Sequence, residues 1–302
     1  MDVSISTGEP IGQHAEHPDG VSLLSHGQEG RDFYSAVRLP DGSFVLRFDG
    51  SCEFRMTPSL SHVVVHSVKG SDPALATILT TGGMLAFQLY LRSHPVLHAS
   101  AVDVGGKAIA FVGHSGMGKS TMAALMCADG ARIITDDVLR LDFESGCDGA
   151  DVVRARLGAT ELRLRKGADT LLERFQGSTP HRRMSADQRH VLGLRGDADD
   201  LLPLAGIVIP RPDRRRACTA LRRVEGKRAV LALLSFPRLI GWRERKVLNS
   251  QLSQLGRLAS AVPVFVADVP WGPPFPVGIA AAIATAVGAA AQSGSAESSA
   301  VK

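Results

Sequence analysis

Polar and apolar residues alternate over much of the first third of the chain, and this period of two predicts β-strands. Two alternating runs in AVRLPDGSFVLRF flank a PDG turn, a combination that predicts a β-hairpin. Shorter strands are predicted at Cys52–Met56 and Val63–Ser67, and Asp72 with the proline after it begins a helical pattern. We therefore predict a small β-rich module closed by a helix over residues 31–94, after an irregular segment at residues 1–30.

The pattern changes after Pro95, where buried-strand runs alternate with a glycine loop and helical segments. The strand-like runs are VLHASAVDV, KAIAFVG, the two halves of ARIITDDVLRLDF, Leu201–Pro210 and PVFVADVP. Helical runs are STMAALMCADG, Ala229–Leu234 and Val247–Ala261. Strand, glycine loop, helix and strand in this order predict an α/β domain with a parallel sheet over residues 95–288. The small polar residues 289–302 predict a disordered tail.

The composition excludes a fibrous or wholly disordered chain, since 44% of residues are hydrophobic and 21% are charged. The four cysteines form neither a CxxC pair nor a zinc-binding spacing, which favours free thiols in a reducing compartment. The first residues lack the basic and apolar regions of a secretory signal. No run of about 18 apolar residues predicts a membrane span. We therefore expect a cytoplasmic protein without a membrane segment.

A net charge of +4 makes the chain mildly basic, and most of its cations are arginines. The densest cluster consists of Arg211, Arg214, Arg215, Arg216, Arg222, Arg223, Lys227 and Arg228. Two interpretations stay open: a solvated surface, or a patch that collects an acidic partner or phosphate. No aromatic residue lies inside the cluster, so we do not expect the stacking surface of a nucleic-acid binder.

The strongest chemical signal is GHSGMGKS at residues 113–120, which satisfies GxxxxGK[ST] between an apolar strand and a helix. The glycines let backbone N–H groups point at phosphate oxygens without a Cβ in the way, and the helix aims its positive end at the anion. Lys119 is expected to reach the β- and γ-phosphates, and the Ser120 hydroxyl to supply an oxygen to Mg²⁺. The predicted ATP-binding residues are Gly113, Ser115, Gly116, Met117, Gly118, Lys119, Ser120 and Thr121.

Asp136 and Asp137 follow a short apolar strand that comes directly after the loop helix. At the end of such a strand, one carboxylate can hold a metal while the other, facing the opposite way, accepts a proton from a nucleophilic hydroxyl. Like charges this close also raise the pKa of one of them, which helps a base. An Asp-Asp pair alone is more often a turn or a helix cap, but beside a phosphate loop it predicts a catalytic pair.

His98, at the start of the strand before the loop strand, adds a spacing to these motifs. It precedes Gly113 by 15 residues, and Asp136 follows that glycine by 23. With these three features, LHASAVDVGGKAIAFVGHSGMGKST…GARIITDDV resembles the catalytic domain of the HPr serine kinase/phosphorylase family, and a looser similarity spans residues 35–270. The β-rich module before LHAS and the segment after residue 145 are more similar to the HPr-kinase-related proteins of peptide natural-product pathways, including the lasso-peptide precursor kinases.

This resemblance implies roles for individual residues. Asp136 would be the catalytic base, His98 would tune or hydrogen-bond it, and Asp137 would sit with Ser120 at the metal. Glu161, within the segment ELRL, would correspond to an acidic metal-side residue of the family's EIRG strand. The resemblance also implies ATP and Mg²⁺ as cofactors, a serine of a short precursor peptide as acceptor, and homo-oligomers.

The predicted fold is therefore an α/β, P-loop, HPr-kinase-like catalytic domain preceded by a small β-rich module. The predicted function is transfer of the γ-phosphoryl group of ATP to a serine of a peptide or small protein. Two alternatives stay open, a small-molecule kinase and a non-catalytic ATP-binding switch. A GTPase of the Asn-Lys-x-Asp type is excluded because the only asparagine is Asn249, in the segment LNS. An ordinary protein kinase is excluded because HRD and DFG motifs are missing.

Overall fold

The structure, a computed structural model, describes residues 3–13, 19–28, 31–146, 149–165, 167–175, 181–185, 187–194 and 199–299. The chain divides into two compact units. Unit 1 comprises Met1–Ser93 and Leu239–Gln251, and unit 2 comprises His94–Arg238 and Leu252–Lys302. The first break lies beside the boundary predicted from the sequence, whereas residues 239–251 belong to unit 1 and not to the α/β domain in which we expected them.

Unit 1 is built on a six-stranded sheet followed by helical residues. The strands are β1 (Ser4–Thr7), β2 (Val21–Gln28), β3 (Arg31–Arg38), β4 (Phe44–Phe48), β5 (Cys52–Met56) and β6 (His62–Ser67). The helical residues are α1 (Pro73–Leu79), a π-helical turn (Thr80–Met84) and α2 (Leu85–Leu91). The strand order is β1-β6-β5-β4-β3-β2, in which β1 runs parallel to β6 and the other neighbours are antiparallel.

Short polar residues determine where the predicted elements of unit 1 begin and end. Between β3 and β4, the Asp41 carboxylate accepts a hydrogen bond from the Ser43 N–H at 2.9 Å, and Gly42 has a φ of +83°. Asp72 caps α1 by accepting from the Ala74 N–H at 2.9 Å. These contacts confirm the predicted hairpin and the predicted start of the helix.

The prediction that residues 1–30 are irregular is wrong for most of the residues described there. β2 pairs with β3 and buries Leu23 and Leu24, while β1 pairs with β6, which is far away in the sequence. These partners are distant, and β1 is exposed along its length, so no local alternation of apolar residues marks this strand. Residues 1, 2, 14–18, 29 and 30 lie outside the described part.

Trp242 explains why the segment 239–251 belongs to unit 1. Its indole stacks on Phe87 with ring centres 5.5 Å apart, and its neighbour Arg243 donates its N–H to the Leu23 carbonyl at 2.7 Å. The burial of a large aromatic ring in this core outweighs the continuity of the chain with unit 2.

One helical stretch of the described residues, Pro73–Leu91, is long and apolar enough to cross a membrane by length and composition. Half of its most apolar window is buried inside the protein, as in a core helix, so this is weak evidence for a membrane span.

Unit 2 contains a larger mixed α/β arrangement. Its strands are β7 (Val96–Leu97), β8 (Ala99–Val104), β9 (Lys107–Val112), β10 (Arg132–Thr135), β11 (Leu139–Ser145), β12 (Asp151–Arg156), β13 (Glu161–Leu164), β14 (His181–Met184), β15 (His190–Gly193), β16 (Leu201–Asp213), β17 (Ala220–Val224) and β18 (Val264–Pro270). Its helices are α3 (Lys119–Ala128), a 3₁₀ helix (Asp169–Arg174), α4 (Gly226–Leu234), α5 (Arg245–Ala261), whose first half belongs to unit 1, and α6 (Ile279–Ser299).

The main sheet of unit 2 has the order β10-β8-β9-β16-β12-β11-β7, and β16 also pairs with β18, which pairs with β17. Among the described strands of this sheet, the pairs β9–β16 and β16–β18 are parallel and the other pairs are antiparallel, so the sheet is mixed and not parallel as predicted. A second sheet has the order β13-β15-β14. β12, the 3₁₀ helix and this small sheet lie between residues 145 and 200.

Helices cover both faces of the main sheet. Met122 of α3 and Ile283 of α6 belong to the core on one face, and Leu233 of α4 and Leu258 of α5 to the core on the other. Because β9 is buried on both faces, its sequence KAIAFV is a nearly continuous apolar run instead of an alternating one.

The carboxyl ends of four strands meet at one edge of the main sheet, which we call the carboxyl edge. β10 and β9 are both antiparallel to β8, and β16 is parallel to both β9 and β18, so β9, β10, β16 and β18 point the same way. The start of β8 lies at the same edge. In open α/β sheets this edge is where ligands bind.

The predicted disordered tail, residues 289–302, is helical in the structure as far as Ser299. Alanine has the highest helix propensity of the residues, and the alanine-rich run that begins in α6 continues through this segment. Residues 300–302 lie outside the described part.

Candidate active site

The glycine loop predicted from the sequence lies at the carboxyl edge, between β9 and α3. Gly116 and Gly118 have φ angles of +92° and +88°, a left-handed conformation that glycine adopts without strain, and α3 begins at Lys119. The N–H of Met117 donates to the His114 carbonyl at 3.1 Å and tightens the loop. The loop therefore has the strand–loop–helix context that a phosphate-binding loop requires.

Lys119 is buried against the loop that it follows. Its Nζ donates to the carbonyl oxygens of Gly113 at 2.9 Å and His114 at 3.1 Å, and only 7% of the residue is exposed. Burial lowers the pKa of this ammonium group to about 8. The Lys119 ammonium group is therefore held against the loop by two backbone carbonyls.

Asp136 is a buried carboxylate at the end of β10. It accepts hydrogen bonds from Ser100 Oγ at 2.5 Å, Ser120 Oγ at 2.9 Å and the backbone N–H of Arg163 at 3.1 Å. Among the described residues no cationic side chain donates to it. Burial raises the pKa of Asp136 above its ordinary value.

The structure differs here from the predicted pairing, since Ser120 contacts Asp136 and not Asp137. Residues 136 and 137 diverge because Asp137 has a φ of +80°, which turns the backbone after β10. The hydroxyl at the start of α3 therefore meets the first carboxylate of the pair. Thr121 is buried on the same helix.

Asp137 lies among arginines. Its carboxylate accepts from Arg238 at 2.8 Å and from Arg163 at 3.5 Å, and His98 Nδ1 is 3.5 Å from its other oxygen. Burial alone would raise the pKa of Asp137, but the guanidinium of Arg238 outweighs it and the pKa is lowered. His98 was predicted to hydrogen-bond Asp136, whereas in the structure it lies beside Asp137.

The His98 imidazole is uncharged at neutral pH. Burial and the neighbouring Lys119 cation lower its pKa to about 3, and its Nδ1 makes no hydrogen bond in the structure. The contact with Asp137 is therefore one between a neutral ring and a carboxylate, and not an ion pair.

The backbone on either side of Glu161 contacts Asp136, through the Ala159 carbonyl and the Arg163 N–H, but the Glu161 side chain has another partner. Glu161 lies on β13 with about half of its side chain exposed and forms an ion pair with Arg183 at 2.6 Å. Within the described part of the chain, no group of three His, Cys, Asp or Glu residues could hold a metal ion. The oxygen donors that the structure brings together are Ser120 and Asp136, and oxygen donors of this kind suit Mg²⁺.

Several site residues were missed from the sequence. Ser100 could have been found, because it lies two residues after His98 and a strand turns alternate residues to one face. Arg163 and Arg238 reach Asp137 from β13 and from the residues after α4, and no spacing in the sequence marks such distant partners.

Arg165 was also missed, and it lies over the glycine loop. Its guanidinium donates to Ser115 Oγ at 3.0 Å, and a Cβ on Gly116 would lie 3.5 Å from its Nη1. Among the described residues it has no carboxylate partner. This exposed arginine is therefore a cation at the mouth of the loop that no carboxylate neutralises within the described part of the chain.

The arginine cluster is partly neutralised. Arg211 and Arg216 pair with Asp268 at 3.4 and 3.1 Å, and Arg223 pairs with Glu225 at 2.9 Å. Both interpretations of the cluster stay open.

Comparisons with known proteins find similarity among solved structures. No protein-family model matches the chain, and no curated protein matches it. Among solved structures, the Hpr(Ser) kinase/phosphatase from Coxiella burnetii is similar over 54% of this chain and 96% of that chain, with 12% sequence identity and a TM-score of 0.25. A TM-score this low carries no argument, so the assignment below rests on this chain's own residues.

Proposed function

We propose that this protein is an ATP- and Mg²⁺-dependent kinase that transfers the γ-phosphoryl group to a serine hydroxyl of a peptide or small protein. The observation that carries the proposal is the buried Asp136 carboxylate, hydrogen-bonded to Ser120 at the end of a glycine loop. Lys119 and the loop amides offer positive charge to a triphosphate, while the carboxylate and hydroxyl offer oxygen atoms to its metal.

The cofactors fit the residues that meet at this site. Mg²⁺ prefers oxygen ligands, and Ser120 and Asp136 provide two of them without a cationic side chain bound to the carboxylate among the described residues. When bound there, the ion would neutralise charge on the β- and γ-phosphates. Lys119 would exchange its two carbonyl partners for phosphate oxygens.

We propose that the two carboxylates exchange the roles implied by the resemblance, so that Asp136 serves the metal and Asp137 is the base. Asp137 would take the proton of the serine as its Oγ bonds to the γ-phosphorus and the bond to the bridging oxygen of ADP breaks. Arg163 and Arg238 support this role because they hold the Asp137 carboxylate in place and lower its pKa, which keeps it ionised and able to accept a proton. His98 would act as a positioning residue beside Asp137.

The acceptor that we propose is a serine in a short precursor peptide of a lasso-type natural product. The resemblance of residues 98–137 supports this class of acceptor. The open alternatives predict other outcomes: a small-molecule kinase would leave peptides unlabelled, and an ATP-binding switch would label nothing.

The experiment uses the full chain with labelled ATP, Mg²⁺ and two peptide pools that differ only in a fixed serine or alanine. We expect label in the serine pool only. Lys119→Ala should lower the rate about 1,000-fold, because a cation that stabilises the transition state is lost. Lys107→Ala, which removes an exposed lysine at the start of β9, is the matched control and should keep the rate. Equal rates in both variants would contradict the proposal.

Two asparagine variants separate the roles of the carboxylates. Asp137→Asn should keep Mg²⁺-dependent ATP binding and lose transfer, because only the proton acceptor is removed. Asp136→Asn should lose the Mg²⁺ dependence of ATP binding as well. The opposite pattern, measured by calorimetry with and without Mg²⁺, would return the role of base to Asp136.

A further inference from the structure

Trp271, directly after β18, lies against the glycine loop. A Cβ on Gly118 would lie 2.3 Å from Cη2 of its indole, so the outer edge of the ring touches the backbone of the loop. Phe275 supports the ring edge-on, with ring centres 5.2 Å apart and an angle of 82° between the planes. The indole is only partly buried, and its N–H has no acceptor among the described residues. Packing thus fixes a large aromatic ring that is still partly open to solvent.

The strand order places Trp271 and the two carboxylates on opposite sides of the loop. Asp136 and Asp137 follow β10, which is separated from β9 by β8, and Trp271 follows β18, which is separated from β9 by β16. Because neighbouring strands lie about 4.8 Å apart, each of the two positions is about 10 Å from the strand that carries the loop. The loop therefore has a carboxylate side and an indole side.

These two sides of the loop determine which way a bound nucleotide points. The γ-phosphoryl group must face the carboxylate side, where Ser120, Asp136 and the arginines beside Asp137 lie. The triphosphate is a linear chain, so its nucleoside must leave the loop at the other end. That end is the indole side.

We propose that Trp271 forms one wall of a binding site for the aromatic base of the nucleotide, an inference that rests on nucleotide binding in the proposed function. A flat purine ring would contact the exposed part of the indole, and the unpartnered indole N–H could donate to it. Stacking between a base and an aromatic side chain does not need a dedicated hydrogen-bond pattern. This also accounts for the presence of glycine at position 118, where a side chain would displace the indole.

The test compares two ligands that share the phosphates and differ in the base. Calorimetry measures the affinity of ATP and of inorganic tripolyphosphate, each with Mg²⁺, for the wild type, Trp271→Ala and Trp271→Phe. We expect Trp271→Ala to weaken ATP about tenfold and tripolyphosphate less than twofold, because only ATP loses a stacking partner. Trp271→Phe should keep most of the ATP affinity.

The other outcomes distinguish a failure of this inference from a failure of the proposed function. An equal loss for both ligands would mean that Trp271 only supports the loop, and no loss for ATP would mean that the base lies elsewhere. If the wild type binds tripolyphosphate as tightly as ATP, the base has no site although the loop binds phosphate. If it binds neither, the proposed kinase function fails too. If ATP binds as expected but no phosphate is transferred, the kinase function fails and the base site stands.

A second measurement reports on the ring directly. The chain has two tryptophans, so the Trp242→Phe variant leaves Trp271 as the only indole fluorophore. ATP should quench or shift its emission more strongly than tripolyphosphate at saturation. Equal responses to the two ligands would contradict contact between the base and the ring.

Discussion

Glu53 in unit 1 and Asp136 in unit 2 are both buried carboxylates, but their partners differ. Glu53 has no exposed side-chain surface and is hydrogen-bonded by the guanidinium groups of Arg47 and Arg55. Burial would raise its pKa, yet the two arginines outweigh burial and lower it. Asp136 is held by two hydroxyls and one backbone N–H, and its pKa is raised.

The difference separates a structural charge from a functional one. A buried charge is costly unless it is paired, and unit 1 pairs its carboxylate within its own sheet. Unit 2 leaves Asp136 with neutral donors among the described residues, next to the loop that we propose binds Mg²⁺ and ATP. A cation brought by the ligand would complete that pairing.

The largest expected effect is on activity, at Asp136. Asp136→Asn should lower phosphoryl transfer to the serine peptide pool about 1,000-fold, the scale of losing a group that acts in the transition state. The free energy of unfolding without ligand should not fall, because the variant removes a buried charge that no cationic side chain pairs among the described residues. Asp129→Asn, at an exposed position after α3, is the control. If Asp136→Asn kept the wild-type rate, the distinction between a structural carboxylate at Glu53 and a functional one at Asp136 would be wrong.

The second effect is on stability, at Glu53. Glu53→Gln should lower the free energy of unfolding by about 3 kcal/mol at neutral pH, because two arginines lose their partner in a buried network. Urea denaturation measures it. Glu244→Gln, which removes a more exposed ion pair with Arg38 in the same unit, should cost less than about 1 kcal/mol.

The pH dependence of this effect has a definite sign. The folded-state pKa of Glu53 is below its ordinary value of 4.5, so the carboxylate contributes stability above that pH and loses it as the pH falls through the folded-state pKa. The difference between wild type and Glu53→Gln should therefore shrink as the pH falls below about 4.5. A constant difference across this range would show that packing and not charge is responsible.

The sequence contains much of the candidate site because its main signals are local. Residues 113–118 form one loop, Lys119 begins the helix after it, and Asp136 follows the next strand, so a motif and a short spacing bring Lys119 and the first carboxylate to one edge. The predicted pairing of Ser120 with Asp137 differs from the contact in the structure, where Ser120 meets Asp136, because the contact depends on the backbone angle of Asp137, which no pattern of residue types reveals.

The parts of the fold that could not be predicted depend on contacts between residues that are far apart in the sequence. β1 finds its partner in β6, and Arg238 reaches Asp137 from 101 residues away. Glu161 was expected near the metal because ELRL resembles a family strand, yet its side chain pairs with Arg183. Such contacts arise only when tertiary structure brings separate segments together.

A third effect concerns the metal. Magnesium and ATP together, at 100 times the dissociation constant, should stabilise the wild type by about 2.7 kcal/mol. Removing Mg²⁺ with EDTA, with ATP kept constant, should abolish most of this gain in thermal denaturation. In Asp136→Asn the gain should be small with or without EDTA. If EDTA did not reduce the stabilisation of the wild type by ATP, ATP binding would not depend on a metal ion held by Asp136.

The smallest expected effect is at Arg165, the exposed arginine over the loop. Arg165→Ala should lower kcat/KM for ATP about tenfold, because a cation at the surface of the loop is lost while the buried Lys119 stays. Arg245→Ala, which removes an exposed arginine at the start of α5, should leave kcat/KM unchanged. Equal losses in both variants would indicate a general effect of positive charge and not a contact with phosphate.

The positive φ of Asp137 limits which sequences can evolve at this position. Asparagine and glycine tolerate the left-handed region, whereas a β-branched residue such as valine is strained there. A descendant that abandons the carboxylate can therefore drift to asparagine or glycine and keep the turn after β10. Inactive relatives with an Asp-Asn or Asp-Gly dipeptide at this point should consequently retain the fold and serve as binding modules.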